Sequence, residues 1–148
     1  MYRPRREVLR LSVTAVISLF AVSCGQSRVA QCNQMIQVAN QAVSDAKVVT
    51  HGLQEDNPQA ETMRQAAAVM DKAATEMNAI EVTDETLQDY QDSFANMYRD
   101  MSQAMRDFAV AFEQKDRQAA EAAQMKLQQA TTPEKQLVDD LNAYCSGQ

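Results

Sequence analysis

Apolar and small residues recur at alternating steps of three and four along most of the chain from Cys32 onwards. This spacing places them on one side of an α-helix, whereas a half-buried strand would need strict alternation. The 148 residues include only three Gly and three Pro, too few for the turns of a multi-stranded sheet or for a phosphate-binding loop. The sequence therefore predicts an all-α fold in one small domain.

The first two helices are predicted from their ends as well as from their spacing. The first begins at Cys32 and is expected to end near His51-Gly52, because Gly adopts the left-handed conformation that closes a helix. Asn57-Pro58 is an N-cap followed by a first-turn proline, and it starts a second helix that ends around residues 80–82. The second helix has a heptad pattern of Ala and Met: Ala60, Met63, Ala67, Met70, Ala74 and Met77.

The third helix is expected to be the central packing element, because it holds most of the aromatic residues that follow the N-terminal segment. Thr83 is the predicted N-cap, with acidic residues in the first turn. Residues 113–115 interrupt the pattern, and Asp116 is the predicted N-cap of a fourth helix. The predicted buried face of the third helix is Leu87, Tyr90, Phe94, Met97, Met101, Met105, Phe108 and Phe112.

The fourth helix keeps the phase of its apolar face across Thr132-Pro133, from Ala120 to Tyr144. Kept phase predicts one helix kinked at the proline; a true break with Thr132 as a new N-cap is the alternative. Four helices with short connections predict an antiparallel up-down-up-down four-helix bundle over residues 32–148.

The N-terminal segment has the pattern of an export signal. Basic residues among the first ten are followed by the apolar run Leu11–Val22, which is short for a membrane span. The sequence Ala21-Val22-Ser23-Cys24 resembles the lipobox of bacterial lipoprotein precursors. The resemblance implies that residues 1–23 are a cleaved signal peptide, that Cys24 is lipidated, and that residues 24–31 tether the domain to a membrane facing the periplasm or an equivalent lumen. An ordinary cleaved signal and an uncleaved anchor are the alternatives.

Removal of residues 1–23 leaves 10 basic and 19 acidic side chains, a net charge of −9. Such a surface repels phosphate backbones and anionic headgroups, so the sequence argues against nucleic-acid binding. Attachment to a membrane is therefore expected through the acyl chains on Cys24 rather than through a basic helix face.

Two cysteines remain, one near each end of the bundle. In an up-down bundle the start of the first helix and the end of the fourth lie side by side, so Cys32 and Cys145 are predicted to form a disulfide. Two separate buried thiols, or half of a metal site, are the alternatives.

Residues suited to catalysis or metal binding are few. His51 is the only histidine and a weak metal-binding candidate, and its expected role is to interact with the negative end of the first helix. Met97, Met101 and Met105 have the spacing of a copper(I) thioether site, although methionines in this pattern usually form core. No Ser-His-Asp set is available beyond the one that His51 could supply, and the sequence has no Gly-rich loop, so no enzyme activity and no cofactor are expected.

Met35 and Leu141-Asn142-Ala143-Tyr144 are similar to the periplasmic four-helix b-type cytochromes. That resemblance implies haem between Met35 and the residue after Tyr144, which is Cys145 here instead of the family's histidine. The architecture also resembles the lumenal accessory lipoproteins of cyanobacterial photosystems. The expected function is that of a lipid-anchored, non-enzymatic accessory protein that docks a membrane-associated partner. The alternative is a carrier of a small ligand, copper or haem in the bundle interior.

Overall fold

The computed structural model describes residues 27–51 and 59–147, and the regular structure in these ranges is entirely helical. Because α4 and α5 are the two halves of one kinked helix, the described residues form the all-α four-helix bundle that the sequence predicts. The helices are α1 (Arg28–His51), α2 (Gln59–Asn78), α3 (Glu85–Glu113), α4 (Arg117–Thr131) and α5 (Glu134–Ser146).

Helix α1 begins earlier than the apolar spacing indicates. Arg28 is its first residue, ahead of Cys32. The hydroxyl of Ser27 accepts a hydrogen bond of 3.3 Å from a backbone N–H in the first turn, which is the contact of an N-cap. Gln31 is only 1% exposed. The bundle therefore includes the second half of segment 24–31, which the sequence assigns to a tether.

The connection between α2 and α3 also differs from expectation. Helix α2 ends at Asn78, before the range 80–82. The N-cap of α3 is Asp84 and not Thr83, because the Asp84 carboxylate accepts a 3.0 Å hydrogen bond from a backbone N–H three residues on. Thr83 bonds to Gln31 of α1 instead. A tertiary contact thus decides which of two neighbouring residues caps the helix. The predicted start signal of α2, Asn57-Pro58, lies outside the described residues.

The turn between α3 and α4 is closed by a left-handed residue, Lys115, whose φ is 56°. The N–H of Asp116 donates to the carbonyl of Ala111 at 2.9 Å, and the N–H of Lys115 donates to Phe112 at 3.1 Å. These bonds pair carbonyls that the helix end would otherwise leave without donors. The Asp116 carboxylate then accepts from the N–H of Ala119 at 2.9 Å, so it is the N-cap of α4, as predicted.

Replacement of Lys115 by glycine is expected to stabilise the protein. A side chain with a Cβ is strained at this φ and glycine is not, so Lys115→Gly should raise the free energy of unfolding by about 0.5 to 1 kcal/mol. Urea unfolding measures the change. The control is Lys115→Ala, which also removes the charge but keeps the Cβ. Equal stabilities of the two variants would show that the left-handed conformation is not the source of the gain.

The fourth helix continues through its proline with a kink. Thr132 (φ −55°, ψ −41°) and Pro133 (φ −77°, ψ −13°) both have right-handed helical dihedrals. Pro133 has no N–H to donate, and the hydroxyl of Thr132 donates to the carbonyl of Gln128 at 2.8 Å. No side-chain cap bond starts α5. The geometry agrees with one kinked helix and not with a new helix capped by Thr132.

Helix α3 is the packing centre. It packs along α2 and α4, while α5 contacts α3 and α1, and α1 makes most of its contacts with α2. Most of the predicted Ala and Met positions of α2 are buried. The core consists of Cys32, Met35, Ala42, Met70, Ala73, Ala74, Met77, Leu87, Phe94, Ala95, Met97, Tyr98 and Leu141.

The predicted buried face of α3 is correct near the start of the helix and wrong near its end. Leu87, Phe94 and Met97 are buried, but Phe112 is 45% exposed. It stacks on Phe108, with ring centroids 6.2 Å apart. Along residues 102–111 the buried positions form two rows, one on each side of the predicted apolar face. The two rows arise because α2 and α4 are the main neighbours of α3. The flanking buried residues are small: Ser102, Ala104, Ala109 and Ala111.

Thr62 of α2 is 2% exposed, and its hydroxyl is the one fully buried side-chain oxygen or nitrogen without a hydrogen bond in the described part of the chain. Thr62→Val removes this hydroxyl at nearly constant volume. We expect the free energy of unfolding to rise by about 1 kcal/mol, because a buried polar group without a partner is costly. The control is Thr75→Val, since the Thr75 hydroxyl is exposed and donates to the Asp71 carbonyl at 2.9 Å. A loss of stability in Thr62→Val would contradict the prediction.

Candidate functional site

Cys32 of α1 and Cys145 of α5 form a disulfide, as the sequence predicts, with their Cα atoms 5.9 Å apart. Cys32 is buried and Cys145 is half-buried. The sequence separation is 113 residues, so the bond joins the start of the first helix to the end of the last. It defines the end of the bundle where the described chain begins, which we call the disulfide end.

Gln31 connects α1 to the start of α3 at the disulfide end. Its side-chain carbonyl accepts hydrogen bonds from the backbone N–H groups of Thr83, at 2.8 Å, and Asp84, at 3.4 Å. Its amide donates to the Thr83 hydroxyl at 3.0 Å. A buried polar side chain is tolerated where its groups are paired in this way. Gln31 thus pairs backbone N–H groups that precede the first turn of α3.

Asp84 connects α3 to α5. The Tyr144 hydroxyl lies 2.9 Å and 3.0 Å from the two carboxylate oxygens of Asp84 and donates its proton to them. The guanidinium of Arg28 lies 5.2 Å from the centroid of the Tyr144 ring. The backbone N–H of Leu87, first, and then the Tyr144 hydroxyl and the Arg28 charge lower the pKa of Asp84. We call Arg28, Gln31, Thr83, Asp84 and Tyr144 the Asp84 cluster.

The lowered pKa of Asp84 predicts a loss of stability in acid. Its contribution is present above the pKa of the unfolded chain, about 3.9, and is lost as the pH falls through the lower folded value. Asp84→Asn keeps a capping oxygen but removes the charge, so its melting temperature should depend less on pH below about 4. Thermal melts from about pH 7 to about pH 2 measure this. Asp100→Asn is the control on the same helix; an Asp84→Asn profile parallel to wild type would contradict the prediction.

Two of the predicted site residues cannot be compared with the structure. Cys24, the predicted lipidation site, lies outside the described residues. Helix α1 is described as far as His51, but the side chain of His51, like Gly52, lies outside the description.

The three candidate methionines of α3 have different surroundings. Met97 is buried in the core, whereas Met101 and Met105 are half-buried at its edge. Within residues 27–51 and 59–147, no group of three or more His, Cys, Asp or Glu side chains could hold a metal ion. Met35 and Cys145 stand where the b-type cytochromes that the sequence resembles have their haem ligands. Met35 is fully buried, and Cys145 is bonded to Cys32 in the disulfide.

Sequence reasoning missed the Asp84 cluster and the buried Tyr98. Arg28 and Tyr144 are distant in sequence, and nothing local marks Gln31 as a buried residue. Tyr98 could have been found, because it follows Phe94 at the i, i+4 spacing of a helical aromatic pair. The two ring centroids are 6.2 Å apart.

None of the helices in the described ranges has an apolar stretch long enough to cross a bilayer. Comparisons with protein-family models, with curated proteins and with solved structures give no match to this chain.

Proposed function

We propose that this protein is an exported, non-enzymatic accessory protein, anchored to a membrane by a lipid on Cys24 and docked on a membrane-associated partner. The observation that carries the proposal is the position of Ser27, which caps α1 at the disulfide end. An extended chain covers about 3.3 to 3.6 Å per residue, so a lipid on Cys24 would lie within about 11 Å of Ser27. The disulfide end would then face the membrane.

The construction of the disulfide end supports this orientation. The Cys32–Cys145 disulfide and the Asp84 cluster fasten α1, α3 and α5 to one another close to the proposed anchor. A force transmitted through the tether would therefore act on three helices together rather than on α1 alone. The proposal includes the antiparallel order of the helices, which is supported by ion pairs between neighbours such as Arg64–Glu113 and Lys126–Asp107.

The charge distribution supports a basic partner surface. Residues 73–98, which run from the last turns of α2 into the first half of α3, contain no Lys or Arg and six acidic residues. Part of this region lies at the disulfide end, where a basic surface of a membrane-associated partner would attract it and would keep it from anionic headgroups. The six residues are Glu76, Glu81, Asp84, Glu85, Asp89 and Asp92.

Mass spectrometry of protein purified from membranes tests the anchor. The expected mature N-terminus is a diacylated Cys24, with residues 1–23 removed. The control variant Cys24→Ser should keep residues 1–23 and carry no lipid. An unmodified Cys24, or an intact Met1 on the wild-type protein, would refute acylation.

Crosslinked pull-down from membranes tests the docking. We expect a partner that is lost at high salt and lost in the double variant Glu81→Gln/Glu85→Gln, because both changes weaken attraction to a basic surface. The matched control is Glu61→Gln/Glu121→Gln, which removes two acidic side chains outside residues 73–98. Equal capture by the two double variants would exclude docking through the acidic region.

The second candidate function is a carrier of a small ligand, copper or haem. One observation favours it: half-buried Met101 lines an open cleft in the bundle, although buried Met97 does not. Metal and haem analysis of protein from its native membrane separates the two candidates. Stoichiometric copper or haem would overturn the accessory function as the main role.

A further inference from the structure

A cleft opens between α1, α3 and α5, and Met70 of α2 also lines it. It has two adjoining parts of about 200 Å³ and 240 Å³. Both parts are lined by Val43, Tyr98 and Glu134, so they meet at these three residues. Glu134, one of these three, is the first residue of α5 and directly follows Pro133.

The walls of the cleft are mostly apolar. Ile36, Phe94 and Val138 line the part nearer the disulfide end, and Met70 and Met101 line the other part. Beyond Met101, the same side of α3 continues with the half-buried Met105 and Phe108 and the exposed Phe112. This elongated apolar surface fits a chain better than it fits a compact ring.

Tyr98 places a hydrogen-bond donor at the junction of the two parts. The residue is 3% exposed, and no hydrogen bond joins its hydroxyl to another residue of the described ranges. Among the described residues, Thr62 alone has a fully buried side-chain oxygen without a hydrogen bond. The Tyr98 oxygen is not in that class, so part of its surface is accessible to solvent. Tyr98 and Glu134 both line the two parts of the cleft, and the charge of Glu134 acts on the Tyr98 hydroxyl, so we infer that this hydroxyl faces the junction. Burial, and secondly the charge of Glu134, raise the pKa of Tyr98 to about 12, so the hydroxyl keeps its proton at neutral pH.

Glu134 supplies an acceptor beside this donor. It is the first residue of α5 and lines both parts of the cleft, whereas Lys47, the other charged residue of the lining, belongs only to the part nearer Met101. A carboxylate at the junction disfavours a ligand with an anionic head. A neutral hydroxyl can accept from Tyr98 and donate to Glu134 at once, which no carboxylate ligand and no ammonium ligand can do.

We propose that this cleft binds a neutral molecule with an apolar chain and a terminal hydroxyl, which Tyr98 and Glu134 hold at the junction while the chain lies along α1 and α3. The proposal goes beyond the accessory function and does not depend on lipidation of Cys24. It gives the bundle a ligand site that involves one of the three candidate methionines, Met101, at its wall.

The test is titration of the oxidised full chain with decan-1-ol, sodium decanoate and decylammonium chloride. Binding is followed on the methyl NMR signals of Val43 and Met101, so that association with other surfaces is not counted. We expect decan-1-ol to bind at least about 5-fold more tightly than either charged probe, the equivalent of one hydrogen bond. No shift of these signals with decan-1-ol, or binding of decanoate as tight as that of decan-1-ol, would overturn the proposal.

Substitutions assign the roles. Tyr98→Phe should weaken decan-1-ol binding by about 5- to 10-fold, while Tyr90→Phe, which does not alter the cleft lining, should leave it unchanged. Val43→Trp should abolish binding by filling the junction, and Val48→Trp, on the same helix but outside the lining, should not. Helicity and melting temperature verify that each variant is folded. Unchanged binding in folded Tyr98→Phe or folded Val43→Trp would contradict the site.

Discussion

Reduction of the Cys32–Cys145 disulfide is expected to lower the free energy of unfolding by about 4 to 5 kcal/mol. The bond closes a loop with a sequence separation of 113 residues, and the entropy that a crosslink removes from the unfolded chain grows with the length of the loop. For a domain of this size the loss corresponds to a fall in melting temperature of roughly 15 °C. Scanning calorimetry with and without a reductant measures it.

The double variant Cys32→Ala/Cys145→Ser separates the effect of the bond from that of the reductant. Its melting temperature should match that of the reduced wild type and should not change when reductant is added. Coincident melts of oxidised and reduced wild-type protein would show that the bond contributes nothing to stability. A thiol assay that finds Cys32 and Cys145 both free in the exported protein would show that the bond is not formed there.

The helices themselves were predictable because their signals are local. Asp116 caps α4 as expected, since an acidic residue directly before an apolar run needs no distant partner to act as an N-cap. The start of α3 was not fully predictable. Thr83 and Asp84 are both good caps, and the choice between them depends on Gln31, which lies 52 and 53 residues away in sequence.

The face of a helix is predictable only where its neighbours are known. Leu87 and Phe112 lie on nearly the same side of α3, and the apolar spacing treats them alike. Only Leu87 is buried, because α2 and α4 cover the flanks of α3 near its end and leave the line between them partly open. The spacing contains no information about which side of a long helix each neighbour covers.

The disulfide was predictable from the sequence and the cleft was not. The two cysteines that remain after Cys24 allow only one pairing, and an up-down topology places both at one end of the bundle, so the Cys32–Cys145 bond followed from counting and topology. The cleft depends on where the fourth helix, after Pro133, places Glu134 relative to Tyr98, and both residues line it. The direction of a proline kink depends on the packing around it and is not contained in the local sequence.

Replacement of Phe94 by alanine is expected to produce the largest loss of stability from a single apolar substitution in α3. Phe94 is 0% exposed and lies in the core beside Tyr98, with ring centroids 6.2 Å apart. Removal of a buried phenyl ring costs its transfer free energy and leaves a cavity, together about 3 to 5 kcal/mol. Since a domain of this size is stable by only about 5 to 15 kcal/mol, Phe94→Ala should remain folded only with the disulfide intact.

The matched control is Phe112→Ala, which makes the same chemical change on the same helix. Because Phe112 is already 45% exposed, the expected loss is below about 1 kcal/mol. Urea unfolding of both variants under oxidising conditions measures the difference. If Phe112→Ala costs as much as Phe94→Ala, the end of α3 is buried as the apolar spacing predicts, and the line along Met105, Phe108 and Phe112 cannot extend the cleft.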